Sequence, residues 1–399
     1  MPAMPVTFAM LHTRFASLLD PRHAQGRRFS LAALLTLAVA AILASHLSVL
    51  AIAEWGRARD ARERRALGFI GEVMPHQTTL HRLFARLDAQ VVAAALVRAV
   101  VETDPAPAGS GGRGSQGVAI DGKAHRGRLA GQLLVACPIH LLSAVCHATG
   151  LVLAQAPVTA TGDKAAAAEL ATAPGLVTTL DWHGRVMTGD ALYCRRTLCQ
   201  QVVDAGGDYL VLVKGNQPEL QQGIATLFAR RANHALNAAS LPKQDMRQAV
   251  MHDNGHGREE QRTLIASTDL NDYRDWPGMA QVFTVERVWQ DCRGEHQSVC
   301  FGVTSLPSTV ADAARLLMLK RGHWQIENGV HYVKDVTLGE DASRVRVGQG
   351  PNVLAMLRDT ALNLLRSTGC RTIAARLRHY CRSPLDLFTF LGLPLPQHA

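Results

Sequence analysis

The sequence has 399 residues, of which 47% are hydrophobic and 19% charged, so it is long enough for two or three globular domains of ordinary apolar content. Its 42 Lys and Arg exceed its 33 Asp and Glu, and the formal net charge of +9 favours a polyanionic partner such as nucleic acid, although a coding bias towards Arg would also produce it. Eight scattered Cys without a Cys-x-x-Cys pair exclude a zinc ribbon or thioredoxin-like motif, and the lack of a signal-peptide pattern in residues 1–24 predicts a cytoplasmic protein with reduced thiols.

Residues 1–105 are predicted to form an all-helical amino-terminal domain. Residues 29–53 carry no formal charge, which by length alone suggests a transmembrane helix. The run is rich in Ala, however, and polar residues interrupt it near Ser48, which can cap a second helix. Two buried helices, at about 31–44 and 48–58, are therefore favoured over a membrane span, and we expect no membrane partner.

Pro75 marks the start of a further helix in this domain, because polar residues and then an apolar periodic run follow it. Four polar side chains of that helix resemble the exposed face of a recognition helix in a helix-turn-helix: Thr78, Thr79, His81 and Arg82. An ordinary amphipathic helix that packs Leu80, Leu83 and Phe84 inward explains the pattern equally well.

A linker rich in Pro, Gly and Ser, at 106–116, is the clearest domain boundary in the sequence. Beyond it, short apolar runs predict an antiparallel meander of three strands, at about 117–121, 140–147 and 151–156. The elements predicted next are a helix at 163–171, extended segments at 176–180 and 184–188, a helix at 195–205 and a buried strand at 209–213.

Residues 245–305 have the pattern of a β-rich insertion with four strands and a turn at 256–258. Residues 310–333 return to a helix, on which His323, Glu327 and His331 recur at every fourth position. A helix at 353–366 follows, and residues 371–399 are predicted to form one or two short helices and a loose tail.

Three carboxylates from three elements form the candidate site. Asp121 and Asp190 stand at the ends of apolar strands that can lie side by side, and Glu327 arrives on the later helix. Such hard oxygen ligands suit Mg²⁺ or Mn²⁺, and two such ions can activate a water or a 3′-hydroxyl and stabilise the leaving oxygen of a phosphodiester. The cations that could flank this site and hold phosphates are Lys123, Lys214, His323, His331 and Lys334.

Each of these carboxylates also has a simpler explanation. Asp121 followed by Gly is by itself a turn signal, and Asp190 could cap the helix that begins after it. Glu327 could form an ion pair on the helix surface, or bind zinc together with the two His residues of its helix, although no Cys or further His lies nearby to complete a zinc site. The residues alone leave these alternatives open.

Several motifs in chain order resemble bacterial insertion-sequence transposases, and more narrowly the branch that includes the H-repeat-associated proteins of Rhs elements. The motifs are Ala119–Lys123, Met187–Cys194, Tyr209–Pro218, Gly255–Arg258, Arg321–Tyr332 and Asp335–Arg346. The resemblance extends from about residue 10 to about residue 370, so it includes the helical amino-terminal region.

The resemblance implies an α/β catalytic domain at 117–370, with an RNase H-like mixed sheet flanked by helices and the β-rich insertion before the last catalytic helix. It also implies that Asp121, Asp190 and Glu327 are the catalytic DDE triad and the ligands of two Mg²⁺ or Mn²⁺ ions. Related transposases carry a Tyr–Arg–Glu–Lys signature around the Glu. Lys334 occupies the Lys position of that signature, whereas His323 stands where the Arg is usual.

The activity that the resemblance implies is cleavage of transposon ends and joining of the freed 3′-hydroxyl to target DNA. The partners would be double-stranded DNA, both as the inverted repeats and as the target, and a second copy of the chain, because two ends must be processed together. The protein would act in the nucleoid. Lys214, Asn216 and Gln217 are expected to contact DNA. Two alternatives are an inactive transposase remnant that binds DNA, and a metal-dependent nuclease without strand transfer.

Overall fold

The structure is a computed structural model that describes residues 8–101, 114, 116–124, 140–158, 165–234, 245–255, 258–271, 275–291, 294–393 and 395. Most of the predicted linker and part of the predicted turn at 256–258 lie outside these residues. The chain divides into two compact units. The first unit contains residues 1–106, 122–172 and 326–399, and the second contains residues 107–121 and 173–325.

Among the described residues, the amino-terminal part of the first unit forms six α-helices. They are α1 (Phe8–Ala16), α2 (Leu31–Leu43), α3 (Val49–Arg57), α4 (Ala61–Ala66), α5 (Gln77–Arg86) and α6 (Ala89–Val101). The hydroxyl of Ser48 accepts a hydrogen bond from the backbone N–H of Ala51 at 3.1 Å and so begins α3. The prediction of two helices in the uncharged run is confirmed, because this cap separates α3 from α2.

Helix α2 forms the centre of the first unit. Within the described residues, one helical stretch, Ala24–Leu43, is long and apolar enough to cross a membrane. Every residue of α2 is buried, and the helix packs against α1 and α3. Burial on all sides by other helices is the pattern of a core helix.

The rest of the first unit contains a pair of strands and the carboxyl-terminal helices. β2 (His140–Cys146) and β3 (Val152–Val158) pair as the predicted antiparallel hairpin. α11 (Gly350–Ser367) packs on α2, α5, α6 and β3, and it is buried from Val353 to Leu365. Two short helices, α12 (Ile373–Arg382) and α13 (Pro384–Phe390), follow it as expected.

The second unit is built on a mixed sheet. Residues 116–119 of β1 (Gln116–Ala124) pair in parallel with β4 (Arg185–Gly189), and β4 lies parallel to β5 (Asp208–Val213). Antiparallel strands continue the sheet from β5 in the order β9 (Gly294–Thr304), β8 (Gln281–Asp291), β7 (Arg258–Ser267) and β6 (Arg247–Gly255). The four strands predicted for the insertion therefore form, and they extend the same sheet through the pairing of β5 with β9.

Helices complete the second unit. α8 (Arg196–Asp204) and α9 (Pro218–His234) pack on its strands, and α10 (Ala313–Gly322) covers a core that includes Leu210, Leu264 and Phe283. The extended segment predicted at 176–180 is wrong, because α7 (Ala165–Val177) continues through Pro174 to Val177. Burial of the apolar side chains at 173, 176 and 177 outweighs the strand propensity of that sequence.

The helix predicted at 310–333 also differs in the structure. The α-helix ends at Gly322, and the chain continues as two π-helical segments, Gln325–His331 and Val333–Thr337. In the second segment the N–H of Leu338 donates to the carbonyl of Val333 at 3.0 Å, five residues earlier. π-Helical turns are rare in proteins, and those that occur frequently lie at functional sites. Glu327 lies within this stretch.

Candidate active site

Asp121 and Asp190 stand at equivalent positions of two neighbouring strands. Ala119 of β1 pairs with Thr188 of β4 in parallel register, and each Asp follows two residues after its member of that pair. Adjacent strands lie about 4.8 Å apart, so this register places residues 121 and 190 at the same level, just beyond the end of β4. The prediction that Asp121 ends its strand is wrong, because β1 continues to Ala124. The prediction that these strands lie side by side is confirmed.

The turn that carries Asp190 is fixed by its own sequence. The Asp190 carboxylate accepts a hydrogen bond from the N–H of Leu192 at 2.8 Å and caps a short 3₁₀ helix, Ala191–Tyr193. A Cβ on Gly189 would lie 2.9 Å from the Cβ of Tyr193, so only glycine lets the buried Tyr193 side chain close over the turn. The capping role of Asp190 is therefore real, and it holds the carboxylate at the strand end.

A second loop supports this turn from the end of β5. The side-chain amide of Asn216 donates to the carbonyl of Ala191 at 2.6 Å, and that of Gln217 donates to the carbonyl of Cys194 at 3.0 Å. Both amides are thus hydrogen-bonded to the backbone that follows Asp190. These contacts could not be predicted from the sequence, because the two loops are more than twenty residues apart.

His323 lies on the same side of the sheet as Thr188. Its Nδ1 is 3.2 Å from the Oγ1 of Thr188, which is two residues before Asp190. Burial, together with the nearby ammonium of Lys320, lowers the pKa of His323 to about 4. At neutral pH the imidazole is therefore uncharged, so His323 offers this site a hydrogen bond and no positive charge.

The stability of the protein should depend on this imidazole in acid. The unfolded chain binds a proton at His323 below about pH 6.5 and the folded chain only near pH 4, so acidification through this window destabilises the fold. Between about pH 7 and pH 5 we expect His323 to account for a loss of about 2 kcal/mol in the free energy of unfolding. Urea titrations of the wild type and of His323→Gln at both pH values measure it, and an equal pH dependence in the two proteins contradicts it.

Three other cations of the second unit differ in exposure, and Lys214 is the one among them that was predicted to hold phosphate. Lys214 is exposed directly after β5, where it is open to a ligand. Lys320 lies in the last turn of α10, near Cys300 of β9, and burial lowers its pKa. Arg321 is 39% exposed and forms an ion pair with Asp253.

Glu327 belongs to the first unit and is exposed on the first π-helical segment. The other predicted phosphate ligands of this unit are buried: Lys123 is 7% exposed, His331 is 8% exposed and Lys334 is 1% exposed. The Lys123 ammonium contacts Asp335 and Glu340, and the Lys334 ammonium contacts Asp359 at 2.7 Å. These two lysines already have carboxylate partners inside the unit, which is the arrangement expected of buried charges.

The donor set of Asp121 and Asp190 suits a hard divalent cation. Mg²⁺ in proteins is commonly held by one or two carboxylates, while waters and substrate phosphates complete its coordination. Asp121 and Asp190 match that requirement. Over the described part of the chain, no group of three or more His, Cys, Asp or Glu side chains is arranged to hold a metal ion.

Comparison with known proteins gives two family matches that together span most of the chain. Residues 112–364 match the model of the transposase DDE domain, and residues 12–99 match a domain described as associated with it. All three predicted acidic residues lie inside the first of these matches.

Individual relatives agree with this result. The chain is 30% identical over 264 residues to "Putative transposase YncI" of Escherichia coli O157:H7, and this match covers 64% of this chain and 63% of that protein. It is 28% identical over 252 residues to "H repeat-associated putative transposase YhhI" of Escherichia coli strain K12, which covers 61% of this chain and 62% of that protein. The chain thus matches less than two thirds of the length of these relatives. Among solved structures, a piggyBac transposase synaptic complex with hairpin DNA aligns with 99% of this chain and 86% of its own, at 10% identity and a TM-score of 0.46.

Proposed function

We propose that this chain, which belongs to the family of transposases with a DDE domain, cleaves the ends of an insertion sequence and joins the freed 3′-hydroxyl to target DNA. The observation that carries the proposal is the parallel register of β1 and β4, because it places Asp121 and Asp190 at the same level of two adjacent strands. We further propose that the strands around this pair form an RNase H-like core.

In this proposal Asp121, Asp190 and Glu327 together hold two divalent cations, Mg²⁺ or Mn²⁺. Such ions, when bound, supply an activated water or 3′-hydroxyl and stabilise the leaving oxygen of the phosphodiester. Asp190 is held for this role by its own cap to Leu192. Glu327 is exposed, so its carboxylate is open to a ligand.

DNA recognition in the proposal rests on exposed cations. The net charge of +9 supports binding to the phosphate backbone, with the strong salt dependence typical of such binding. Lys214 is exposed after β5 and suits a phosphate contact, whereas neutral His323 suits a hydrogen bond to phosphate. We propose that the inverted repeats meet the amino-terminal helices, where His81 and Arg82 are exposed on α5. Two copies of the chain would process two ends together in the bacterial nucleoid.

The experiment that tests this function uses a labelled DNA duplex that carries the end of the element, a supercoiled target plasmid and Mg²⁺ or Mn²⁺. A transposase yields metal-dependent nicks at the end of the element and labelled DNA joined covalently to the plasmid. Nicks without joined product would identify a nuclease, and DNA binding without nicks would identify an inactive relative. Either of these two results contradicts the proposal.

Asn216 provides a separate prediction, because its amide holds the backbone next to Asp190. We expect Asn216→Ala to slow end cleavage by about 10–100-fold, the usual cost of losing a residue that orients a metal ligand, and to leave DNA affinity unchanged. The rate at saturating DNA and the dissociation constant measure the two effects. Gln222→Ala, which removes an exposed amide from α9, is the matched control and should leave both unchanged. Weaker DNA binding with a normal rate would instead assign Asn216 a direct DNA contact.

A further inference from the structure

Five charged side chains form a cluster inside the first unit: Lys123, Lys334, Asp335, Glu340 and Asp359. The Lys123 ammonium contacts Asp335 and lies 2.6 Å from a Glu340 oxygen. The Lys334 ammonium lies 2.7 Å from Asp359 and 3.4 Å from the other Glu340 oxygen. Glu340 therefore joins the two lysines, and the backbone N–H of Glu340 also donates to the carbonyl of Lys334 at 2.9 Å.

The cluster is an expensive way to stabilise a fold. Lys334, Glu340 and Asp359 are each less than 5% exposed, so three charges have lost nearly all contact with water. The attraction within buried ion pairs repays this desolvation only in part, and apolar residues of the same size often give equal or greater stability. A buried ion cluster does fix the relative positions of the segments that carry its charges, since each charge is stable in few arrangements of its partners.

This geometry concerns the segment that carries Glu327. Lys334 and Asp335 follow Glu327 by seven and eight residues, and Lys123 follows Asp121 by two residues in β1. The cluster thus joins the end of the β1 strand to the π-helical segment inside one unit. Asp359 adds α11, which is buried along most of its length, as the fixed base.

Two further side chains of α11 bind the same segment through its backbone. The Arg366 guanidinium donates to the carbonyl of Gly329, two residues after Glu327, and to the carbonyl of Gly150. Arg358 donates through Nε to the carbonyl of Leu338 at 3.1 Å, just after the second π-helical segment. Together with the Lys334–Asp359 pair, these bonds fix residues 329–338 at three points. A side chain that takes a helix carbonyl is a known cause of departure from the α-helical ladder.

We infer that the buried cluster and α11 are a positioning device that holds the Glu327 carboxylate for its metal, and that Lys123 and Lys334 act through this device and do not touch DNA. The inference rests on the proposed function, because it takes Glu327 to be a metal ligand. It replaces the expectation that these two lysines bind phosphate with a role set by their buried carboxylate partners.

The test compares Lys334→Met with Lys214→Met, a buried and an exposed lysine. Two quantities are measured on the full chain below its unfolding temperature: the Mn²⁺ affinity by calorimetry, and the slope of log K for DNA binding against log salt. Lys334→Met should bind Mn²⁺ about 10–100-fold more weakly and keep the wild-type salt slope. Lys214→Met should keep the Mn²⁺ affinity and reduce the magnitude of the salt slope by about one.

Two results would overturn the inference. A salt slope reduced by about one in Lys334→Met would show a phosphate contact and overturn the inference. A lower unfolding temperature with unchanged Mn²⁺ affinity would show a purely stabilising cluster and also overturn it. If Lys334→Met does not fold, the same two measurements on the isosteric variant Asp359→Asn test the inference in its place. Failure of the wild-type chain to bind Mn²⁺ or cleave DNA would instead overturn the proposed function.

Discussion

Replacement of Asp190 by Asn will reduce metal-dependent end cleavage by more than about a hundredfold. Loss of a residue that only orients a metal ligand costs about 10–100-fold, and loss of the ligand itself should cost more. Asn keeps the size of the side chain and is as good a helix cap as Asp, so the 3₁₀ turn after Gly189 should survive. The change thus removes the charge and leaves the turn, and the rate of nicking at saturating Mg²⁺ measures its effect.

Asp181→Asn is the matched control for this prediction. Asp181 is an exposed acid in the same unit, ahead of β4, and its carboxylate pairs with His183 at 2.8 Å. That variant should cleave at the wild-type rate, and both variants should bind DNA as the wild type does. Undiminished cleavage by Asp190→Asn would remove Asp190 from the active site.

Replacement of Lys334 by Met will lower the free energy of unfolding by about 3–5 kcal/mol, because it leaves Asp359 buried without its cation. A second change, Asp359→Leu, should recover most of this loss, since an apolar pair of similar volume often replaces a buried ion pair without cost. Glu340 keeps its contact with Lys123 in both variants. Urea unfolding of the two single variants and the double variant measures the coupling between the residues.

The exposed Lys214 is the reference for the second prediction. Lys214→Met should change the free energy of unfolding by less than about 0.5 kcal/mol, as surface substitutions usually do. If Lys334→Met is equally neutral, or if the double variant is no more stable than the single one, the buried ion pair does not have the energetic role assigned to it.

Strand periodicity and strand order carried most of what the sequence could predict. Asp121 and Asp190 each follow an apolar run, and the sequence predicted that the strands of these two runs can lie side by side, as β1 and β4 do. The cap at Ser48 could also be predicted, because the hydroxyl of a capping residue bonds a backbone N–H only three residues away.

Burial of charge was not readable from the sequence. Lys334 lies in a polar stretch and looks like a solvated surface residue, yet its partner Asp359 is 25 residues later on a buried helix. Lys123 and Glu340 are 217 residues apart. The same limit applies to the π-helical segment, because the carbonyl of Gly329 is engaged by Arg366 and local propensity says nothing about that contact.

We propose that Asp121, Asp190 and Glu327 hold the catalytic ions, and a crystal structure of the chain with Mn²⁺ and a transposon-end duplex tests this most directly. The anomalous signal of Mn²⁺ locates each ion independently of the protein. We predict ions beside Asp121 of β1 and Asp190 after β4, with oxygens of all three carboxylates at about 2.1 Å. Ions bound by other residues, or a Glu327 carboxylate turned away from them, would contradict it.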